Sequence, residues 1–189
     1  MRTKQSEHRI RVLRHYQGAW GGQGESLLFR KGPTHELPDG FSVYEFRPTE
    51  KRKMWTYATC GMSEHDDLRP VELHIFSHQE NHDIVEILTA VAHFHRRGAT
   101  LGVGHTVNFG KAWFQKSQCE FGLVSLPYLD GPTLEVLPPE DGGVVKFYWL
   151  IPITESEVVY KKRRGLEALE SEMERSQFNY LDPYRTSIC

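Results

Sequence analysis

The sequence predicts a single α+β domain, in which a mixed and largely antiparallel sheet is flanked by helices. Strand-like segments, rich in β-branched and aromatic residues, occur in clusters along the 189-residue chain. Apolar residues recur with a helical period at its start, middle and end. The length suits one domain, and neither an internal repeat nor a low-complexity linker divides it.

Residues 1–40 are predicted to form an N-terminal helix and loop that precede the main domain, residues 41–189. Apolar side chains three residues apart predict one face of this helix: Ile10, Leu13 and Tyr16. We expect the helix to end at Gly18 and a flexible loop to follow over 18–24. This loop lacks the spacing of a phosphate-binding loop, and a strand-like segment follows it instead of a helix.

Seven segments have the composition of strands. They lie at 26–30, 42–47, 54–60, 71–76, 119–126, 133–137 and 144–151. The last is a nearly unbroken apolar run, which predicts a strand covered on both faces, deep in the sheet. Cys60 and Cys119 lie in two of these strands, where a free cysteine is usually a small buried hydrophobe.

The clearest helix is predicted to begin near Asn81 or Asp83, whose side chains can accept hydrogen bonds from unpaired backbone N–H groups. Its apolar stripe consists of Ile84, Ile87, Leu88, Val91 and Phe94. Gly98 is expected to end it.

A last helix is predicted just after Pro152, because Thr154 and Glu157 match a capping box. Gly165 interrupts it, and its apolar face continues with Leu166, Leu169 and Met173. The tail, 180–189, is apolar enough that we expect it to pack back onto the domain.

The composition excludes several classes of protein. The 23 Lys and Arg residues nearly balance 25 Asp and Glu residues, whereas nucleic-acid-binding proteins usually carry a strong basic excess. No apolar run approaches the ~20 residues of a membrane span, and the N-terminus lacks the apolar core of a signal peptide, so we expect a cytoplasmic protein. Three cysteines without a CxxC pair argue against a disulfide framework or a thiolate zinc site.

The ten histidines suggest metal binding, but their placement argues against it. His74, His78 and His82 are four residues apart, yet they fall in a strand, a turn and a helix start, so no single period aligns them. His93 and His95 are two apart on a helix and point about 200° away from each other. We therefore expect no metal and no cofactor. The alternative is a metal-assisted hydrolase that uses His74, His78, His82 and nearby carboxylates.

Two polar loops are predicted to border a site for a protein partner. The first lies at 63–67 and is rich in acidic residues. The second lies between glycines at 102–110, which permit close backbone approach. A sheet edge near such loops could accept an added strand from the partner. Charged loops are more often simply solvated, which is the plainer interpretation. The candidate partner-binding residues are Ser63, Glu64, Asp66, Asp67, His105 and Asn108.

Seven motifs follow one another in order from about residue 41 to the end of the chain. They lie at 57–63, 71–77, 84–95, 102–110, 122–127, 147–155 and 165–169. This ordered series resembles the suppressor of fused family, in particular its bacterial single-domain members. The first forty residues are not covered by the resemblance.

The resemblance implies a protein-binding domain without catalysis. Animal members clamp a short extended peptide of a transcription factor between two domains, and this chain resembles only the first of those domains. Resemblance to the bacterial members implies a role as an immunity protein. The implied function is therefore that of a bacterial immunity or regulatory protein that neutralises or sequesters a protein partner, with a cognate toxin as one candidate. A structural assembly partner is a third class that the sequence leaves open.

Overall fold

The computed structural model describes residues 2–139 and 143–189 and shows one α+β domain, as predicted. Its helices are α1 (Arg2–Trp20), α2 (Asp83–Arg97), α3 (Pro132–Glu135), α4 (Glu155–Arg164) and α5 (Leu166–Ser176). Its strands are β1 (Glu25–Leu27), β2 (Ser42–Phe46), β3 (Trp55–Cys60), β4 (Val71–Ser77), β5 (Thr106–Asn108), β6 (Cys119–Ser125), β7 (Val136–Leu137) and β8 (Val145–Thr154). Within the same residues, no helix has the length and apolar character needed to cross a membrane.

The strands form one open, mixed sheet in the order β1-β2-β3-β4-β8-β6-β5, and β7 pairs separately with β8. Among the described strands, β4 and β8 are the one parallel pair, and all other pairs are antiparallel. The sheet is therefore largely antiparallel, as expected. It leaves β1 and β5 at its two edges.

Strand β8 lies in the middle of this sheet. It pairs with β4 from Val71↔Lys146 to His74↔Trp149, and with β6 from Cys119↔Thr154 to Ser125↔Trp149. The prediction of a deeply placed apolar strand is confirmed. Because both faces of the sheet are covered by helices here, the strand needs apolar side chains on both sides.

Helices cover the two faces of the sheet differently. Side chains of β8 alternate between faces, so Phe147 joins a buried cluster with α1, and Trp149 joins one with α5. Leu150 points the other way and belongs to the cluster that contains the buried face of α2. Helices α1, α4 and α5 therefore share one face of the sheet, and α2 covers the opposite face.

The buried faces of two helices differ from the predicted ones. Helix α1 continues through Gly18 to Trp20 and buries Val12, Tyr16 and Trp20, which are spaced by four residues, while Ile10 is 48% exposed. In α2, most of the predicted stripe is buried, but Phe94 is 42% exposed and His95 is buried instead. A spacing of three or four residues keeps side chains on one face only approximately, so the end of a stripe is the hardest part to predict.

One predicted strand is correct only at its end. The segment 133–137 begins as the short helix α3 and becomes a strand only over Val136–Leu137. Gly131, with φ of 73°, and Pro132 at the first helical position start the helical turn, because proline has no N–H to lose there. The strand-like composition of 133–137 therefore counts for less than the helix start at Gly131 and Pro132.

The C-terminal tail packs back through a buried ion pair. The predicted capping box is present, with the Glu157 carboxylate accepting from Thr154 N–H at 2.8 Å. Arg185 in the tail donates to both oxygens of Glu157, at 2.6 and 2.8 Å, and to the carbonyl of Pro152 at 3.0 Å. One carboxylate therefore fixes the start of α4, the end of β8 and the tail.

We predict that Arg185→Ala lowers the free energy of unfolding by about 3–5 kcal/mol, because it leaves the Glu157 carboxylate buried without its cation. Urea denaturation of both proteins measures this loss. Arg175→Ala is the matched control, since Arg175 pairs with Glu172 on the surface and its loss should not change stability measurably. A stability loss no larger than that of the control would contradict the role of the pair.

The pH dependence should change as well. Burial alone would raise the pKa of Glu157, but the Arg185 hydrogen bonds and charge hold this pKa below its ordinary value of 4.5. This stabilisation is complete above pH 4.5 and is lost as the pH falls through the lowered pKa. Urea titrations between pH 3 and 6 should therefore show a flatter acid limb for Arg185→Ala than for the unmodified protein.

Candidate functional site

The first predicted loop is built on a buried carboxylate. Glu72 of β4 is fully buried, and its Oε1 accepts hydrogen bonds from Gly61 N–H, Ser63 N–H and the Ser63 hydroxyl. Its Oε2 accepts from the Thr59 hydroxyl at 2.5 Å. Burial raises the pKa of Glu72, and these hydrogen bonds oppose that rise. The turn after β3 is therefore wrapped around a polar side chain of its neighbour strand.

Ser63 is a buried part of this turn. It is 0% exposed, its hydroxyl lies 2.9 Å from Nε2 of His8, and its carbonyl accepts from the Gln5 amide. Gln5 also accepts from His65 N–H at 2.8 Å. The start of α1 thus packs onto the loop. Ser63 is not accessible to a partner, so its role is to hold the neighbouring loop residues in place.

The acidic residues of the loop differ in their surroundings. Glu64 and Asp67 both form ion pairs with Arg96 at the end of α2, the latter at 2.6 Å. Asp67 also accepts from Glu64 N–H at 2.8 Å, whereas Asp66 is exposed. Asp66 is therefore the acidic residue of this loop that is presented to solvent, and the other two close the loop against α2.

The second predicted loop, 102–110, contains the short strand β5, which is not among the seven predicted strands. Gly104 has a φ of 83°, a conformation that residues with a side chain rarely adopt, and its N–H donates to the Val124 carbonyl. His105 is exposed, and its Nδ1 accepts from Gly102 N–H at 3.2 Å. The glycines hold the imidazole at the entrance of the edge strand, in agreement with the setting that the sequence indicates.

Strand β5 offers an unpaired side. His105 accepts from Val124 N–H and Phe109 donates to the Glu120 carbonyl, so the odd-numbered residues face β6. The backbone groups of Thr106 and Asn108 must then point away from β6. Among the described strands β5 pairs only with β6, which leaves these groups along an edge of the sheet.

The two loops lie at the same end of the sheet but do not touch. Strand β5 runs in the same direction as β8, since both are antiparallel to β6, and β4 is parallel to β8. The segments that precede β4 and β5 therefore share one end. Strands β8 and β6 lie between β4 and β5, which separates the two sideways by about 14 Å at ordinary strand spacing. The register also places Val71 level with Lys146 of β8 and Thr106 level with Ile151, so the start of β5 lies about 16 Å further along the strand direction.

An acidic groove that the sequence did not reveal opens beside this end. Its volume is about 700 Å³, and its floor contains Trp149 and Ile151 of β8. Glu167, Glu170 and Glu174 of α5 line it together with the exposed Tyr128 and Leu129. The carboxylates are three or four residues apart on one helix, a spacing that indicates a common face once α5 is known to cover the sheet.

The three evenly spaced histidines have separate surroundings. His74 is fully buried beside Trp20 and Phe76, and burial keeps its pKa well below the ordinary value. His78 lies against Phe114. His82 lies near two glutamates, Glu45 and Glu80. The expectation that no common site joins the three agrees with this placement.

The fold and the exposed strand edge define the class of the protein: an α+β domain with an open mixed sheet. The chain belongs to the suppressor of fused family, because the family model "Suppressor of fused protein (SUFU)" matches residues 38–186. The resemblance seen in the motifs is thereby confirmed.

Solved structures show the same fold. A SUFU homologue from Neisseria gonorrhoeae has a TM-score of 0.85 and 27% identity, covering 97% of this chain and 98% of that one. A structure titled as the Sufu-Fu complex has a TM-score of 0.69 at 15% identity, covering 96% and 92% of the two chains. Drosophila Suppressor of Fused has a TM-score of 0.70 at 14% identity, covering 98% of this chain and 51% of its own. No curated protein matches the sequence.

We predict that Asp67→Ala lowers the free energy of unfolding by about 1–2 kcal/mol, because Arg96 and the Glu64 N–H both lose an acceptor. Asp66→Ala is the matched control and should leave the denaturation midpoint unchanged. Equal midpoints for the two variants would show that the Arg96 contacts do not hold the loop.

Proposed function

We propose that the chain is a non-catalytic protein-binding domain that acts in the bacterial cytoplasm as an immunity or regulatory protein. It neutralises or sequesters a protein partner, and a cognate toxin is the candidate partner. The observation that carries this proposal is the free edge of β5, which follows His105 and ends at Asn108. An exposed strand edge pairs readily with an extended segment of another chain.

Family membership supports a binding function. The Sufu-Fu complex shows that a protein of this fold binds a protein, and the Neisseria homologue shows that bacteria carry such domains. Of the two sheet edges, β5 lies within the matched residues 38–186, whereas β1 precedes them. Strand β5 is therefore the edge that we assign to the partner.

In this mechanism, an extended segment of the partner pairs with the outward backbone groups of Thr106 and Asn108. Main-chain hydrogen bonds then supply affinity, and the side chains beside the edge supply selectivity. His105 and Asn108 form the near border. The loop of Ser63, Glu64, Asp66 and Asp67 forms a far border at the same end, where Asp66 contacts the partner and the other three hold the loop in shape.

The acidic groove favours a partner with basic residues. Glu167, Glu170 and Glu174 line one side of it, and the apolar floor can accept aliphatic parts of lysine or arginine side chains. A segment that leaves the β5 edge toward α5 would pass this groove, because Leu166, the first residue of α5, lies beside Gly104. The expected binding motif is therefore an extended strand followed by cationic residues.

The two cysteines in the sheet support a function without covalent catalysis. Cys60 and Cys119 are both buried, and burial raises the pKa of each thiol. A thiolate, not a thiol, is the nucleophile in cysteine chemistry. Neither residue therefore offers a reactive sulfur at neutral pH.

Asn108→Pro tests the proposed edge. Proline removes the outward N–H of residue 108 but none of the bonds to β6, so binding should weaken at least tenfold while thermal stability changes little. The partner to use is the protein encoded next to this chain's gene that co-purifies with it, and calorimetry gives the affinity.

Asn108→Ala is the matched control, because it also removes the side chain but keeps the N–H. The proposal predicts a clear difference between the two variants. Equal affinities for the proline variant and the unmodified protein, with both folded, would exclude strand addition at β5.

Asp66→Lys tests the far border separately. Charge reversal at an exposed rim position should weaken binding of a basic partner by about three- to tenfold, mainly through slower association at low salt. Association rates at 20 and 300 mM salt measure the effect. An unchanged rate at both salt concentrations would remove this loop from the site.

A further inference from the structure

Three possible metal ligands meet at the end of the sheet opposite the proposed partner site. Glu45 is on β2, and Glu80 and His82 lie in the turn between β4 and α2. His82 Nε2 is 3.1 Å from Oε1 of Glu80 and 3.5 Å from Oε2 of Glu45. All three ligand atoms lie within 4.8 Å of one another.

Glu45 is the unusual member of this cluster. Its side chain is only 2% exposed, and its Oε2 has no hydrogen-bond partner. Arg47 approaches the other oxygen no closer than 3.9 Å, and Tyr57 on the paired strand β3 is the other polar side chain beside this carboxylate. A buried carboxylate oxygen without a donor costs free energy unless a cation or a proton compensates it. The oxygen points at His82, in the open turn where a cation would enter.

The distances fit a small divalent cation. Tetrahedral zinc with bonds of about 2.0–2.1 Å to nitrogen and oxygen holds its ligand atoms about 3.4 Å apart. The two separations from His82 Nε2, 3.1 and 3.5 Å, lie on either side of this value. Both separations from the imidazole therefore suit a single ion, and the two carboxylates lie within 4.8 Å of each other.

We propose that Glu45, Glu80 and His82 form a zinc-binding site, with water in the fourth position. One imidazole and two carboxylates are a donor set that suits zinc, whereas calcium and magnesium prefer oxygen ligands alone. The ion balances the buried charge of Glu45. It also ties strand β2 to the turn that starts α2.

The turn is already held in position for this role. Asn81 N–H donates to the Tyr57 hydroxyl at 2.8 Å, and the Asn81 side chain donates to the Trp113 carbonyl at 3.0 Å. The ligands on either side of Asn81 are thus fixed relative to β2. This arrangement does not depend on the proposed partner site, so the two proposals can fail separately.

The test is zinc titration of the 189-residue, tag-free chain after chelator treatment, followed by calorimetry. We expect one equivalent of zinc to bind and, at a hundred times its Kd, to raise the melting temperature by about 5–10 °C. His82→Ala and Glu80→Ala should each weaken zinc binding at least tenfold. Both side chains are largely exposed, so these variants should fold.

His78→Ala is the matched control, since this exposed histidine lies outside the cluster. It should bind zinc as the unmodified protein does, and magnesium or calcium should give no thermal shift. The site is disproved if zinc causes no stabilisation, which would leave His82 as a simple ion-pair partner of the two glutamates. It is equally disproved if His82→Ala binds as tightly as His78→Ala, which would indicate scattered surface histidines.

Discussion

The pairing of β8 with two neighbours is the constraint on which the rest of the molecule depends. Because β8 joins β4 in parallel and β6 in antiparallel fashion, the β3–β4 half and the β5–β6 half become one sheet. The directions of these strands bring the two polar loops to the same end. They also leave β5 at an edge, where its backbone groups can pair with another chain.

Three glutamates are buried among the described residues, and groups of the chain itself compensate two of them. Glu72 accepts hydrogen bonds from the turn that follows β3, and Glu157 pairs with Arg185 of the tail. Glu45 keeps an oxygen without a donor. The first two complete their sites within the chain, since every buried carboxylate needs donors or a counter-charge. Glu45 is the one for which we propose a ligand from outside the chain, a zinc ion.

The sequence predicts the local features well and the long-range ones poorly. The Thr154 capping box and the apolar run of β8 are properties of adjacent residues, so both are visible in the sequence and both are confirmed. The burial of Ser63 is not visible in the sequence, because it depends on a hydrogen bond to Glu72 on the next strand. The meeting of Glu45 with His82 likewise depends on the pairing of β2 with β3 and on the Asn81 contacts. Spacing along the chain carries no sign of either.

Hydrogen exchange of β5 in the presence of the partner tests the central claim most directly. In the free domain the amides of Thr106 and Asn108 face away from β6 and should exchange quickly. Our account predicts that both become strongly protected in the complex, while Val107, already paired with β6, changes little. Fast exchange at Thr106 and Asn108 in a saturated complex, with protection at another surface, would contradict it.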